Sequence, residues 1–129
     1  MISVDTNILV RVLTYDDPVQ ADRAAKMMEE NDIFISKTVI LETEWVLRYT
    51  YKIDKPVIIA AFQKLFGLPN VQVEDFANVS QAVLWHEKGL DFADALHLSS
   101  SRIANKFATF DTAFAKKAGA VSEISIIRI

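Results

Sequence analysis

The sequence predicts an α/β fold in which helices cover both faces of a parallel β-sheet. Short apolar runs typical of strands alternate along the chain with longer segments of helical period, and this alternation is the pattern of parallel sheets. Hydrophobic residues make up 51% of the chain, which is enough to bury a sheet on both sides. Because 129 residues are too few for two ordinary domains, we expect residues 1–129 to form a single domain.

The expected strands and helices follow one another in this alternating order. The predicted strands lie at residues 1–4, 33–36, 71–73, 107–109 and 122–129. The predicted helices lie at residues 8–13, from 18 onward, and at 39–51, 56–66, 76–88, 92–105 and 111–117. Short apolar runs support the strands, and apolar residues spaced three and four apart support the helices.

Capping and stop signals mark where several of these helices begin and end. Asp17 and Pro18 combine a preferred N-cap residue with proline at the first helical position. Thr38 is expected to cap the third helix and Asp91 the sixth. Gly67 ends the fourth helix, because glycine is the commonest residue just past a helix C-terminus.

The composition excludes several classes of protein. No apolar run approaches the roughly 18–20 residues of a membrane span, and the chain starts without a basic stretch or an apolar signal core, so we expect no membrane association and no export. The absence of cysteine excludes disulfides and thiolate metal sites, and a cytoplasmic location is expected. The net charge of −3 disfavours a dedicated nucleic-acid binder but is compatible with a nuclease that needs local acid.

Four acidic residues lie at or just past points where a predicted strand passes into a helix: Asp5, Glu42, Asp94 and Asp111. In a parallel sheet these points fall on one edge, the carboxyl ends of the strands, where such folds bind ligands. Four carboxylates gathered there would repel one another unless a divalent cation held them. Oxygen ligands suit Mg²⁺ or Mn²⁺, whereas two histidines without cysteine make zinc unfavourable, so His86 and His97 are interpreted as structural.

Each of the four acids also has an ordinary structural explanation, which stays open. Asp5 and Asp111 suit the N-cap position of the helix that follows each of them. Glu42 and Asp94 suit a first helical turn, where the helix dipole favours negative charge. Capping or the helix dipole can explain each residue separately, whereas a metal site would explain all four together.

The surroundings of Glu42 distinguish it from its neighbour Glu44. If Leu41 and Trp45 face the core, Glu42 lies at the edge of a largely apolar stretch. Burying a carboxylate without a partner is costly, so Glu42 is expected to have a partner or a metal ion. Glu44 is expected to be a solvated surface residue.

Four segments resemble, in order and spacing, the motifs of the PIN-domain family: residues 4–7 (VDTN), 41–47 (LETEWVL), 91–97 (DFADALH) and 108–114 (ATFDTAF). The similarity covers essentially the whole chain, whose size is similar to that of the VapC-type toxins of prokaryotic toxin–antitoxin pairs. The resemblance implies a metal-dependent ribonuclease on a three-layer α/β/α fold with a central parallel sheet.

By motif position, the resemblance makes Asp5, Glu42, Asp94 and Asp111 the catalytic acids. It implies that Asp5, Asp94 and Asp111 bind Mg²⁺ or Mn²⁺, with Asp5 and Asp94 the most direct ligands. It also implies supporting roles for three polar side chains, those of Thr6, Asn7 and Thr109. The implied partners are an RNA substrate, a second copy of the chain in a homodimer, and a small cognate antitoxin that inserts into the acidic groove.

Two alternatives to a toxin ribonuclease remain open from the sequence. The first is a housekeeping PIN-type nuclease for RNA maturation or DNA flap cleavage. The second is a non-catalytic module whose acidic pocket binds a basic partner segment. Substrate choice in the enzyme is expected to depend on scattered basic residues such as Arg11, Arg48, Lys52 and Lys106.

Overall fold

The computed structural model describes residues 1–129 and shows an α/β protein with parallel strands. The strands are β1 (Ile2–Ser3), β2 (Ile33–Ile35), β3 (Val71–Val73), β4 (Lys106–Thr109) and β5 (Ser125–Arg128). The helices are α1 (Thr6–Thr14), α2 (Pro18–Glu30), α3 (Lys37–Trp45), α4 (Lys55–Phe66), α5 (Phe76–Glu87), α6 (Phe92–Ser99) and α7 (Thr112–Val121). Every strand pair is parallel, so the predicted fold class is confirmed.

The chain divides into two compact units, unit 1 (residues 1–76) and unit 2 (residues 77–129). Each unit contains its own parallel sheet, with β1, β2 and β3 in unit 1 and β4 and β5 in unit 2. No helix of the protein has both the length and the apolar character needed to cross a membrane.

Unit 1 is built around the central strand β2. Ile33 pairs with Ile2 of β1 on one side and with Val71 of β3 on the other, and Ile33 is fully buried. Helix α1 packs against α2 and α3. Because strands β1 and β2 are parallel, the loops that lead from them into α1 and α3 leave the sheet at the same edge.

Unit 2 pairs β4 with β5 along their whole length, from Lys106 opposite Ser125 to Thr109 opposite Arg128. Helix α7 connects the two strands and packs against both. The stacked rings of Phe107 and Phe114, whose centroids lie 5.5 Å apart, join β4 to α7. Asp111 therefore follows the end of β4 after a single, exposed residue, Phe110.

Several helix boundaries differ from the sequence prediction, among them those of α3 and α6. Helix α3 begins after Ser36, whose hydroxyl accepts a hydrogen bond from the Val39 N–H at 3.3 Å, so Ser36 and not Thr38 is the cap. The chain then continues from α3 into a π-helix at Val46–Thr50. Helix α6 ends at Ser99, earlier than expected, and just beyond it the Ser101 hydroxyl donates to the His97 carbonyl at 2.6 Å. Serine side chains compete in this way for backbone groups at helix ends.

Candidate functional site

Asp5 lies at the junction of β1 and α1 and caps α1. Its Oδ1 accepts a hydrogen bond from the Ile8 N–H at 3.1 Å. The Oδ2 atom of the exposed Asp5 side chain makes no hydrogen bond within the chain. The capping explanation is therefore correct for one oxygen, and the other oxygen is available to a ligand.

Glu42 lies on α3 and is joined to the residue after Asp5. The buried Thr6 hydroxyl donates a short hydrogen bond to Glu42 Oε1. Asp5, Thr6, Asn7 and Glu42 line one small pocket of about 260 Å³, together with Val46. Unit 1 therefore brings two of the four predicted acids together, as expected from the shared carboxyl edge of β1 and β2.

The face of α3 that points inward is not the face that the sequence suggested. Glu44 is only 1% exposed, so the prediction that Glu44 is a solvated surface residue is wrong. Trp45, expected to face the core, is 54% exposed, and Glu42 is exposed rather than partly buried. The buried residues Ile40, Glu44 and Leu47 are spaced three and four apart, so they define the inner side of this segment.

Arg48 explains how Glu44 can be buried. Its Nε donates to Glu44 Oε2 at 2.8 Å, and its Nη2 donates to Glu44 Oε1 at 3.0 Å. This bidentate pair satisfies both carboxylate oxygens and offsets the cost of desolvating the charge. Arg48 thus neutralises Glu44, a structural role that the sequence analysis did not assign to it.

Asp94 lies in the first turn of α6 in unit 2. The carboxylate of Asp91 caps this helix by accepting from the Asp94 N–H at 3.3 Å, so Asp91 has the structural role predicted for it. The side chain of Asp94 is half-buried. Burial raises the pKa of Asp94 above its usual value, and the negative charges of Asp91 and Asp111 raise it further, while His97 acts in the opposite direction.

Asp111 caps α7 in the same unit. Its Oδ1 accepts from the Phe114 N–H at 2.9 Å, and its own N–H donates to the Thr109 hydroxyl at 3.0 Å. Because its charge raises the pKa of Asp94, Asp111 lies within electrostatic range of that carboxylate. Unit 2 therefore places Asp111 within electrostatic range of Asp94, and the Thr109 hydroxyl accepts from the backbone N–H of Asp111.

The donor set fits a hard divalent cation in kind. The groups at the four positions are carboxylates, accompanied by hydroxyl and amide oxygens, and these are the ligands that Mg²⁺ and Mn²⁺ prefer. The pKa of Asp94 is raised chiefly by burial and further by the charges of Asp91 and Asp111, so its charged form is disfavoured. Within neither unit do three or more His, Asp or Glu side chains form a group that could hold a metal ion.

His86 is buried and its Nδ1 lies 2.6 Å from the Leu90 carbonyl oxygen, where it joins the end of α5 to the chain beyond it. Its ring also contacts the ring of Phe92, with centroids 5.6 Å apart. These contacts agree with the structural interpretation of His86. His97 is exposed on α6.

Three residues beside Asp5 did not stand out as a group in the sequence. Arg11 of α1 and Gln20 and Arg23 of α2 line a second pocket, which also includes Asp5. Arg11 was expected to contribute to substrate choice, and its position on α1 four residues after Asn7 was the available signal. Gln20 and Arg23 reach this pocket only through the packing of α2 on α1.

The fold and the acids at its strand–helix junctions define an α/β protein of the nuclease type. The family model of the PIN domain matches residues 2–120 and so includes all four acidic positions. The chain belongs to the PIN domain family, whose members are generally nucleases. No curated protein matches the sequence.

Proposed function

We propose that the protein is a ribonuclease that hydrolyses RNA phosphodiester bonds with Mg²⁺ or Mn²⁺. The observation that carries this proposal is the pairing of acids inside each unit at the family's motif positions: Glu42 shares a pocket with Asp5, and Asp111 raises the pKa of Asp94. Residues 1–129 are proposed to act as one nuclease domain, because the family model runs through both units.

Asp5 in unit 1 and Asp94 and Asp111 in unit 2 are proposed as ligands of a divalent cation, as their positions in the family's motifs imply. The chemistry that such a cation would supply is a lowered pKa of bound water and stabilised charge on the phosphate and the leaving oxygen. Asp5 and Asp111 offer carboxylates whose positions are fixed by their capping hydrogen bonds. Such preorganised ligands lose little conformational entropy on binding.

Glu42 or Asp111 is proposed to orient the attacking water and accept its proton. For Glu42, the hydrogen bond from Thr6 holds Oε1, and Oε2 has no hydrogen bond within the chain. A carboxylate held in this way can act as a general base when the water lies within hydrogen-bonding distance. Thr6 would then be a positioning residue, since it acts through Glu42.

The test is RNA cleavage by purified protein with Mg²⁺ or Mn²⁺, with excess EDTA, and by the Asp94→Asn variant. Cleavage is expected only for the wild-type protein with metal. Asp54→Asn is a matched control, because Asp54 precedes α4 and its side chain makes no capping hydrogen bond. Undiminished cleavage by a folded Asp94→Asn protein, or in EDTA, would refute the proposal.

The biological role proposed for this activity is that of a VapC-type toxin in the cytoplasm, controlled by an antitoxin. The acidic pocket at Asp5 and Glu42 would attract an arginine side chain, which can pair bidentately with a carboxylate. Induced expression is expected to arrest growth, and Asp94→Asn is expected to remove the arrest. RNA cleavage without growth arrest would favour the housekeeping nuclease instead.

A homodimer is proposed as the working state of the protein. The proposal is supported by large apolar side chains that remain exposed on and just after α4, with Val57 58% and Leu68 46% exposed. Exposed apolar side chains of this kind often mark interfaces when they form a patch. A monomeric mass by sedimentation at micromolar concentration would overturn this part of the proposal.

A further inference from the structure

The second pocket beside Asp5 has the size and position of a substrate subsite. It encloses about 400 Å³ between α1 and α2, within the range of about 300–1,000 Å³ that ligand pockets occupy. Asp5 and Asn7 line both this pocket and the acidic pocket that contains Glu42. A chain molecule whose reacting group lies at Asp5 would therefore extend directly into the second pocket.

The lining of the second pocket combines an apolar surface with two cations. Its residues are Asp5, Asn7, Ile8, Arg11, Gln20, Arg23, Ala24 and Met27. Ile8, Ala24 and Met27 offer the apolar contact that a nucleobase can cover, and the arginines offer the charge that a phosphate needs. The lining contains two arginines and one aspartate, and Arg11 also pairs with Asp16, which lies outside the lining.

Arg11 is held in place before any ligand arrives. Its Nε donates to Gln20 Oε1 at 2.8 Å, and its Nη1 lies 3.3 Å from Asp16 Oδ1 and 3.2 Å from the Tyr51 hydroxyl. Its Nη2 makes no hydrogen bond within the chain. A guanidinium fixed on one side with donors left on the other is preorganised for an anion.

Arg23 is the cation of this pocket that the chain does not compensate. Its side chain is exposed and makes no ion pair or hydrogen bond within the chain. Lys26, one turn further along the same helix, pairs with Glu30 at 4.0 Å and does not line the pocket. The two residues therefore form a matched pair for comparison.

We propose that the pocket of Arg11, Gln20 and Arg23 binds one nucleotide of a single-stranded RNA substrate, next to the bond that is cut. The arginines contact the phosphate of that nucleotide, and its base covers Ile8 and Met27. This inference rests on the proposed ribonuclease function, because it takes Asp5 as part of the reacting site.

The test measures binding of a fluorescein-labelled single-stranded RNA of ten nucleotides by anisotropy in EDTA, so that no cleavage occurs. Arg23→Gln is expected to weaken binding about tenfold, the effect of one charge-assisted contact. It should also reduce the slope of log K against log salt by about 0.7, the value for one phosphate contact on a single strand. Lys26→Gln should change neither quantity. Equal affinities for Arg23→Gln and Lys26→Gln would overturn the inference.

A second variant places a negative charge in the pocket without changing its shape. Gln20→Glu keeps an oxygen acceptor for Arg11 at an exposed position, so the fold should survive, and RNA binding is expected to fall by about tenfold or more. Gln63→Glu on α4, exposed and outside the pocket, is its control and should bind RNA like the wild-type protein.

Cleavage with Mg²⁺, measured separately, distinguishes the two levels of the proposal. If Arg23→Gln loses RNA binding and the wild-type protein cleaves no RNA, the subsite is supported and the nuclease function is refuted. Unchanged binding and cleavage in both pocket variants of an active nuclease would refute the subsite alone. Displacement of the labelled RNA by a nucleoside monophosphate at lower concentration than by unlabelled RNA would also overturn the assignment to an RNA strand.

Discussion

The acidic residues of unit 1 and unit 2 occupy opposite electrostatic surroundings. In unit 1, Asp5 shares a pocket with Arg11 and Arg23. In unit 2, Asp94 is half-buried near the charges of Asp91 and Asp111, and its pKa is raised. Unit 2 therefore disfavours the charged form of Asp94, whereas unit 1 places Asp5 beside positively charged side chains. Acidic residues at different motif positions of one family can thus have different electrostatic surroundings.

The largest expected effect separates capping from catalysis at Asp5. Asparagine caps a helix about as well as aspartate, so Asp5→Asn should keep the stability of the protein and reduce cleavage about 100- to 1,000-fold. Asp5→Ala should lose the activity and also about 1 kcal/mol of stability. Cleavage rates and urea unfolding of both variants measure the two effects. An active Asp5→Asn protein would leave Asp5 with only its structural role.

The next effect concerns the two glutamates of α3. Arg48→Met should destabilise the protein by about 3 kcal/mol, because it leaves the charge of Glu44 buried without its bidentate partner. Glu42→Gln should change stability by less than about 0.5 kcal/mol, because residue 42 is exposed and glutamine can still accept from Thr6. Denaturant titration compares the two. Equal stability losses would show that the difference in burial has no energetic consequence.

The smallest effect is a difference in pH dependence between the units. In unit 1 the pKa of Asp16 is lowered. The main cause is the hydrogen bond from Tyr51, and the hydrogen bond from Thr14 and the positive charge of Arg11 add to it. In unit 2 the pKa of Asp94 is raised. A lowered pKa contributes stability that is lost as the pH falls through the folded-state value, and a raised carboxylate pKa does the reverse.

The two variants should therefore shift stability in opposite directions in metal-free protein. Asp16→Asn should lower the melting temperature at neutral pH and match the wild type in strong acid. Asp94→Asn should raise it at neutral pH, and this gain should disappear below the unfolded pKa of an aspartate. Thermal unfolding in EDTA across this range measures both. Shifts of the same sign would contradict the contrast drawn between Asp16 and Asp94.

Local signals were enough to predict much of the fold and part of the site. Asp17 and Pro18 begin α2 as predicted, with the Asp17 side chain accepting from the Gln20 N–H. The rule that parallel strands expose their carboxyl ends on one edge correctly placed Asp5 beside Glu42. These features depend on interactions between residues close in sequence or on one rule of sheet topology, so they can be predicted from the sequence.

The prediction for the inward face of α3 is wrong because large apolar side chains do not mark the buried face of this segment. Trp45 is large and apolar but exposed, whereas Glu44 is charged and buried. The spacing of Glu44 and Arg48, four residues apart, was a signal of an ion pair that could tolerate burial. The pocket formed by Gln20 and Arg23 with α1 could not be predicted, because it depends on how two helices pack.

The capping hydrogen bonds of Asp5 and Asp111 have a consequence for how the protein could turn over. Each carboxylate is tied to the first turn of its own helix, so a swing toward a moving ligand would fray that turn, at a cost of about 1 kcal/mol. These carboxylate oxygens therefore keep fixed positions relative to their helices. During a reaction, the scissile strand would have to adjust its own conformation to them, which favours flexible, unpaired nucleic acid over a stiff duplex.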